Sequence, residues 1–219
     1  MTSLDNQMGE NEGRKLSDAP VTGNDNQKSG ASGGASRVIW ETIRYAFVAA
    51  LIIIPIRTFI AQPFVVSGNS MYPTFHNGEY LIVNELAKYV GEYERGDVVI
   101  LRYPVDPSKY FIKRIVGLPG ETVAIADGIV SITSPERVSP LILSEPYVKN
   151  TKPDNSSRTL SNDEYYVMGD NRAQSSDSRV WGPVPKKLMD GKALLRLFPF
   201  TNITLYPGGL ATYELETKN

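Results

Sequence analysis

Ser70 stands in a segment that could present its hydroxyl as a nucleophile. The segment 67–74 reads Ser-Gly-Asn-Ser-Met-Tyr-Pro-Thr and directly follows a β-type run. A turn of this composition can hold a hydroxyl outward and leave the backbone N–H of Ser70 free to face an oxyanion. From the local sequence alone, a segment like this more commonly contains a serine that caps one helical turn than a nucleophile.

A serine hydroxyl is a weak nucleophile until a base takes its proton. The single histidine, His76, follows closely, but no acidic residue is evidently placed to orient it, so we assign it no role. A lysine can be the base only where burial lowers its pKa enough to populate the neutral amine.

Lys113 is the lysine that fits this requirement. It lies in the apolar run 110–116, Tyr-Phe-Ile-Lys-Arg-Ile-Val. In a strand Lys113 and Arg114 point to opposite faces, so one of them is expected to point inward. An inward arginine stays charged and needs a carboxylate, whereas an inward lysine can lose its proton, which favours Lys113 as a buried base. The alternative is that both cations extend their charged ends into water.

The third candidate segment is 169–179, Gly-Asp-Asn-Arg-Ala-Gln-Ser-Ser-Asp-Ser-Arg, which follows another apolar run. A hydroxyl of this segment could orient the lysine amine, and an Asp-Arg pair could hold the loop. Taken alone, the segment also fits a solvated polar turn.

The elements that position the candidate serine, lysine and polar segment are predicted to be strands, because the surrounding sequence consists of short β-type runs separated by turn residues. They predict a mostly β fold with an antiparallel, barrel-like catalytic domain at 62–206, in which 133–162 is an excursion from the sheet. The predicted strands are 64–66, 80–83, 97–103, 110–116, 122–125, 128–132 and 164–168.

The N-terminal part of the chain has a different character. Residues 1–36 are polar and rich in Gly and Ser, which predicts a disordered tail. Residues 37–61 are predicted to form one transmembrane helix, since the stretch around the apolar run 45–56 reaches the roughly 20 residues that a span requires. A buried core helix is the alternative for the short run itself. At the other end, 207–219 is predicted to be a polar tail.

Composition excludes several kinds of chemistry. The chain has no cysteine and one histidine, so thiolate and histidine-cluster metal sites are excluded and no cofactor is predicted. A net charge of −1 gives no electrostatic case for a nucleic-acid partner.

Together and in this order, the segments resemble the bacterial type I signal peptidases, a family of Ser-Lys dyad serine peptidases. The resemblance runs from about Arg57 to Pro199. The matching boxes are Ser70–Thr74, Arg95–Val99, Phe111–Gly120, Glu145–Tyr147 and Gly169–Trp181.

The resemblance implies that Ser70 attacks the scissile carbonyl and that Lys113 takes its proton and later activates the deacylating water. It implies that the Ser175 hydroxyl orients the lysine amine. It also implies that Asp177 and Arg179 form a structural ion pair. The shallow pockets for small side chains are expected to be lined by Phe64, Val66 and Ile112.

At the level of the whole protein, the resemblance implies a membrane-bound endopeptidase that removes signal peptides from exported preproteins at small-x-small sites. Its expected partners are those signal peptides and the lipid bilayer. The expected location is the bacterial cytoplasmic membrane or another bacterial energy-transducing membrane, as a single-pass monomer with its catalytic domain on the outer side.

Two positions depart from the family pattern. Gly68 stands where some members have a serine whose hydroxyl serves the oxyanion hole, and Gln174 stands where asparagine is usual. Three other possibilities stay open from sequence. One is a self-cleaving repressor-type Ser-Lys peptidase, against which the predicted membrane segment counts. The others are a tethered module that binds extended peptides without cutting them, and a family member that has lost activity, against which the presence of both Ser70 and Lys113 counts.

Overall fold

The computed structural model describes residues 32–55, 61–136 and 139–209. It divides into two compact units, 1–46 and 47–219. Helix α1 covers Ser32–Pro55. Within the described ranges, no helix combines the length and the apolar character needed to cross a membrane. Residues 56–60 of the expected membrane segment and 1–31 of the expected tail lie outside the described residues.

The rest of the described chain consists mainly of antiparallel β-sheet, which confirms the predicted fold class at that level. The strands are β1 Ala61–Val65, β2 Tyr80–Asn84, β3 Val98–Tyr103, β4 Asp106–Gly117, β5 Thr122–Ala126, β6 Ile129–Thr133, β7 Leu141–Ile142, β8 Ser156–Thr159, β9 Glu164–Met168, β10 Val184–Pro185, β11 Met189–Phe198 and β12 Thr204–Leu205. Two short helices accompany them, α2 Ala87–Val90 and α3 Ser178–Trp181.

The larger sheet carries both Lys113, in β4, and the connection between β1 and β2 that contains Ser70. Its strand order is β1-β2-β11-β3-β4-β9-β10, and β12 pairs with β11. The order leaves β1 and β10 as edges, so the pairing of the described strands does not close a barrel. Strand β3 is buried on both faces along Val98–Leu101, which places it in the middle of the hydrophobic core.

The smaller sheet has the order β7-β6-β5-β8. Buried and exposed residues alternate along β5 and β6, as expected for a sheet with one covered face. The segment 133–162, predicted as an excursion from the sheet, supplies β7 and β8 to this second sheet.

Strand β11 is the main element that the sequence patterns did not indicate. It pairs with β2 on one side and with β3 on the other. Its sequence includes Asp190, Gly191 and Lys192, which is typical of a turn. A glycine is needed at 191 because a Cβ there would lie 2.4 Å from the backbone oxygen of Asn84. The close approach of β2 therefore explains Gly191. This glycine is one reason why the sequence pattern did not indicate a strand here.

The expected polar tail from 207 begins with packed residues. Pro207 is buried. The backbone oxygen of Gly208 accepts a hydrogen bond from Arg114. Residues 210–219 lie outside the described part of the chain.

Candidate active site

Ser70 lies in the connection between β1 and β2. Paired backbone hydrogen bonds close this connection, from Val66 N to Glu79 O at 2.9 Å and from Gly78 N to Val66 O at 2.9 Å. Met71 and Phe75 are buried in the core beneath it. The two buried side chains anchor the loop, while Ser70 itself stays half-buried and lines a cavity.

Lys113 reaches Ser70 from strand β4. Its Nζ donates to Ser70 Oγ at 2.8 Å and to the backbone oxygen of Ile112 at 2.9 Å. The lysine is 3% exposed. Burial lowers the pKa of Lys113 to about 8, although the charges of Asp177 and Asp170 act to raise it. The sequence-predicted base and nucleophile are thus in direct contact, and the amine can lose its proton near neutral pH.

The expectation that one of Lys113 and Arg114 would point inward is wrong, because both are buried. Arg114 is 1% exposed and makes a bidentate pair with Asp170, at 2.8 Å from Nε to Oδ1 and 2.7 Å from Nη2 to Oδ2. The reason is that this end of β4 is covered on both faces. The inward arginine has the carboxylate partner that an inward arginine needs.

Asp177 and Arg179 form the expected ion pair at the start of α3. Arg179 donates Nε to Oδ1 and Nη2 to Oδ2 of Asp177, both at 2.8 Å, and Gly169 N donates to Oδ2 at 3.1 Å. Burial opposes the charge of Asp177, but the hydrogen bonds and charge of Arg179 outweigh it and hold the pKa below its usual value. The pair therefore fixes the segment that carries Ser175.

Ser175 lies beside the dyad without bonding to the lysine. Its Oγ is buried and makes no hydrogen bond of ordinary geometry to any described residue. It is nevertheless close enough to Asp177 to help lower that carboxyl's pKa. A Cβ added to Gly169 would lie 2.2 Å from Ser175 Oγ and 2.4 Å from the Ser70 backbone oxygen. The Ser175 hydroxyl and the Ser70 backbone therefore both pack directly against Gly169.

A cavity of about 280 Å³ opens at the dyad. The three residues predicted to line substrate pockets all border it, and two further core residues contribute to its apolar wall. These five are Phe64, Val66, Leu81, Ile100 and Ile112. Gln174 also borders the cavity, as does Gly68, whose φ of +90° favours glycine.

Two unpaired strand edges border this cavity. Strand β1 pairs with β2 alone. Strand β4 pairs with β3 at Asp106 and from Tyr110 to Arg114, but with β9 only from Arg114 onward, so 106–113 has one free side among the described strands. Phe64 of β1 and Tyr110 of β4 are in ring contact at 5.5 Å. The cavity therefore lies between two edges that can each accept another strand.

Several residues around the dyad were not singled out from sequence. Asp170 accepts from Thr74 Oγ1 at 2.5 Å as well as from Arg114, so it links the serine loop to the lysine strand. Arg172 pairs with Glu145 at 2.9 and 2.5 Å. Charged residues within apolar or signature segments are a signal for such pairs, but sequence does not say which acid meets which base.

Comparison with known proteins identifies the family. The model of the family described as signal peptidase, peptidase S26, matches residues 39–198. The chain belongs to this family. It is therefore a serine peptidase, a class of hydrolase.

Relatives of this signal peptidase family cover most of the chain. A signal peptidase I of Bacillus licheniformis is 34% identical over an alignment of 177 positions, which covers 75% of this chain and 91% of the relative. One of Bacillus amyloliquefaciens is 36% identical, covering 75% and 88%. Signal peptidase I S of Bacillus subtilis is 35% identical, covering 75% and 92%. A solved signal peptidase I of Enterococcus faecalis aligns at 28% identity with a TM-score of 0.39, covering 46% of this chain and 96% of that one.

Proposed function

We propose that this protein is a membrane-bound endopeptidase that removes signal peptides from exported preproteins through a Ser70-Lys113 dyad. The observation that carries the proposal is the 2.8 Å contact between the buried Lys113 amine and Ser70 Oγ. A neutral amine at that distance is placed to take the hydroxyl proton, which is the requirement for an active serine. Membership of the signal peptidase family supports the substrate class.

The reaction proceeds in two halves. Neutral Lys113 accepts the Ser70 proton as Oγ attacks the scissile carbonyl, and the Ser70 N–H stabilises the oxyanion. The resulting ammonium donates a proton to the departing amine, which leaves an acyl-enzyme on Oγ. Lys113, neutral again, then takes a proton from the water that attacks the ester, and Ser70 is regenerated.

Substrate selection follows from the cavity and the strand edges beside it. An extended peptide adds a strand against the free side of 106–113 or the free edge of β1, and its alternate side chains then face the apolar wall. Phe64, Val66 and Ile112 leave room for small side chains at the first and third positions before the cut. Larger ones would overlap the packed wall, which supports a preference for small-x-small sites.

Ser175, Asp177 and Arg179 are assigned supporting roles. The ion pair holds the segment, and the Ser175 hydroxyl is buried beside the Ser70 backbone and close to Asp177. Rotation about its side chain gives this hydroxyl a route to orient the Lys113 amine.

Residues 37–61 attach the protein to the bilayer as a single-pass monomer. Large apolar side chains of α1 that stand exposed support this part of the proposal, among them Ile39, Phe47, Leu51 and Ile52. The catalytic domain is then on the outer side of a bacterial cytoplasmic membrane. The full chain should resist extraction by alkaline carbonate, and a Phe47→Lys, Ile52→Lys double variant should be released. Release of the unaltered chain would reject attachment by a membrane span.

The dyad is tested with purified full-length protein in detergent and a preprotein that carries an Ala-x-Ala site. We expect cleavage after the second alanine, and loss of cleavage with either Ser70→Ala or Lys113→Ala. Cleavage that survives both changes rejects the dyad. Binding of the preprotein without cleavage would instead support a peptide-binding tether.

A further inference from the structure

Asn171 holds the backbone on both sides of the nucleophile. Its backbone N–H donates to the Ser70 oxygen at 3.0 Å. Its side-chain Nδ2 donates to the Asn69 oxygen at 3.1 Å. One residue of the loop after β9 therefore binds two successive carbonyl groups in the loop before β2.

These two bonds fix more than the two oxygens. The peptide group is planar and trans, so the carbonyl of Asn69 and the N–H of Ser70 lie in one plane and point in opposite directions. A donor that holds the Asn69 oxygen also sets the direction of the Ser70 N–H. The bond to the Ser70 oxygen fixes the next peptide plane in the same way.

The Ser70 N–H is available for a substrate. None of the residues that the structure describes accepts a hydrogen bond from it, and Ser70 lines the cavity. Gly68 carries no side-chain hydroxyl, so the direction of this one N–H matters more here than in a chain with a second donor.

The amide of Asn171 is itself held in one orientation. Asn171 is 2% exposed. Asn150 Nδ2 donates to its Oδ1 at 3.3 Å, which leaves Nδ2 to face Asn69 and, at 3.4 Å, Gln174 Oε1. The donor that reaches Asn69 is thus fixed by burial and by a partner on its other side.

We propose that Asn171 is a positioning residue that aims the Ser70 N–H at the oxyanion of the reaction. The inference rests on the proposed function, since it requires Ser70 to be the nucleophile. Asn171 touches neither substrate nor the lysine amine in this role. It acts through the two peptide groups that flank Ser70.

The expected loss of activity is partial. Tyr72 N also donates to the Asn69 oxygen, at 3.1 Å, so the turn keeps one of its two supports when Asn171 is changed. Loss of an oxyanion donor costs about 100- to 1,000-fold in kcat, and misdirecting one costs less. We expect kcat to fall about 10- to 100-fold, with KM and the pH midpoint of activity unchanged.

The test compares Asn171→Ala and the similarly sized Asn171→Leu with Asn84→Ala, all in the full-length protein. Asn84 also bonds the backbone through its side chain, accepting at Oδ1 from Leu86 N at 3.0 Å, but it does not line the cavity. We expect both Asn171 variants to lose kcat with an unmoved pH midpoint, and Asn84→Ala to keep kcat. A raised KM at unchanged kcat, or a moved pH midpoint, would overturn the proposal.

A milder variant covers the case in which both Asn171 variants unfold. Asn150 is exposed, so Asn150→Ala should fold and release only the Asn171 amide. We expect a smaller loss of kcat, about two- to fivefold. An unchanged kcat in this variant would overturn the proposal. Ser70→Ala and Lys113→Ala run in parallel separate the two hypotheses. If they still cleave, the dyad fails; if they do not while Asn171→Ala keeps its kcat, only the role of Asn171 fails.

Discussion

At the scale of single residues, the proposed dyad predicts that the protonation of Lys113 sets the pH range of activity. With a pKa of about 8, about a tenth of the amine is neutral at pH 7. We expect kcat/KM to rise about tenfold per pH unit below the pKa and to level off above pH 8. The pH profile of preprotein cleavage measures this directly.

Replacing Lys113 by arginine provides the control for that profile. Lys113→Arg keeps a positive charge, but a guanidinium cannot accept a proton at these pH values. The variant should therefore be inactive across the whole pH range. Near-normal rates in Lys113→Arg, or a flat profile in the unaltered protein, would contradict a lysine base.

The same buried amine should reduce the stability of the folded protein. The pKa of Lys113 is about 8 in the folded protein and 10.5 for an ordinary solvated lysine, so between these pH values the unfolded chain binds a proton that the folded chain lacks. Stability from this group therefore rises with pH across that window and carries a constant penalty below it. A Lys113→Met variant should escape the penalty.

Urea unfolding of both proteins at several pH values tests this prediction. Below pH 8 we expect Lys113→Met to be the more stable, and the difference to shrink by up to about 1.4 kcal/mol per pH unit toward pH 10.5. Other titrating groups are common to both proteins and cancel. A difference that stays constant through this window would mean that the folded amine has an ordinary pKa.

At the scale of elements, the end of β9 controls how closely three segments meet. Gly169 allows Ser70 and Ser175 to approach, since a Cβ there would be 2.4 Å from the backbone oxygen of Ser70, which is held by Asn171 N. Gly169→Ala should displace the Ser70 loop or the 169–179 segment. We expect at least tenfold lower kcat and a stability loss of about 1–3 kcal/mol, the usual cost of overpacking.

Gly120→Ala is the matched control for Gly169→Ala. Gly120 has a φ of +77° in the turn after β4, and the nearest atom to an added Cβ is 3.7 Å away. It should lose about 1 kcal/mol from backbone strain and keep its kcat. Equal losses of activity in the two variants would show that contact at Gly169 is not what matters.

The strands differ in how well the sequence predicted them. Each of the seven predicted strands overlaps a strand, because short apolar runs between turn residues carry a local signal. Strand β11 carries Asp190 and Gly191, and its need for glycine comes from contact with β2, which no local pattern contains. The contact of Lys113 with Ser70 was expected from family resemblance, whereas the pairing of Arg114 with Asp170 depends on how distant segments pack.

At the scale of the whole molecule, one buried network connects segments far apart in sequence. Arg114 adjoins Lys113 in β4 and binds Asp170, the backbone oxygen of Gly96 at 2.8 Å and the backbone oxygen of Gly208. Asp170 in turn accepts from Thr74 in the serine loop. The strand that carries Lys113 is thus tied to the loop that carries Ser70, and to the segment after β12.

That last connection predicts that residues 207–209 are needed for stability. A chain ending after Tyr206 loses the Gly208 oxygen, an acceptor for a guanidinium that is 1% exposed, and it uncovers Thr74 and Phe75, which Gly208 contacts closely. Loss of a buried partner of a charged group costs about 1–3 kcal/mol. We expect the midpoint of thermal unfolding to fall by several degrees, measured against a chain ending after Gly209, which keeps the contact. Because Arg114 adjoins Lys113, the shorter chain should also cleave more slowly at temperatures where it is still folded. Equal unfolding midpoints and equal rates for the two chains would show that the Gly208 contact contributes nothing to the site, and the network would then end at Asp170.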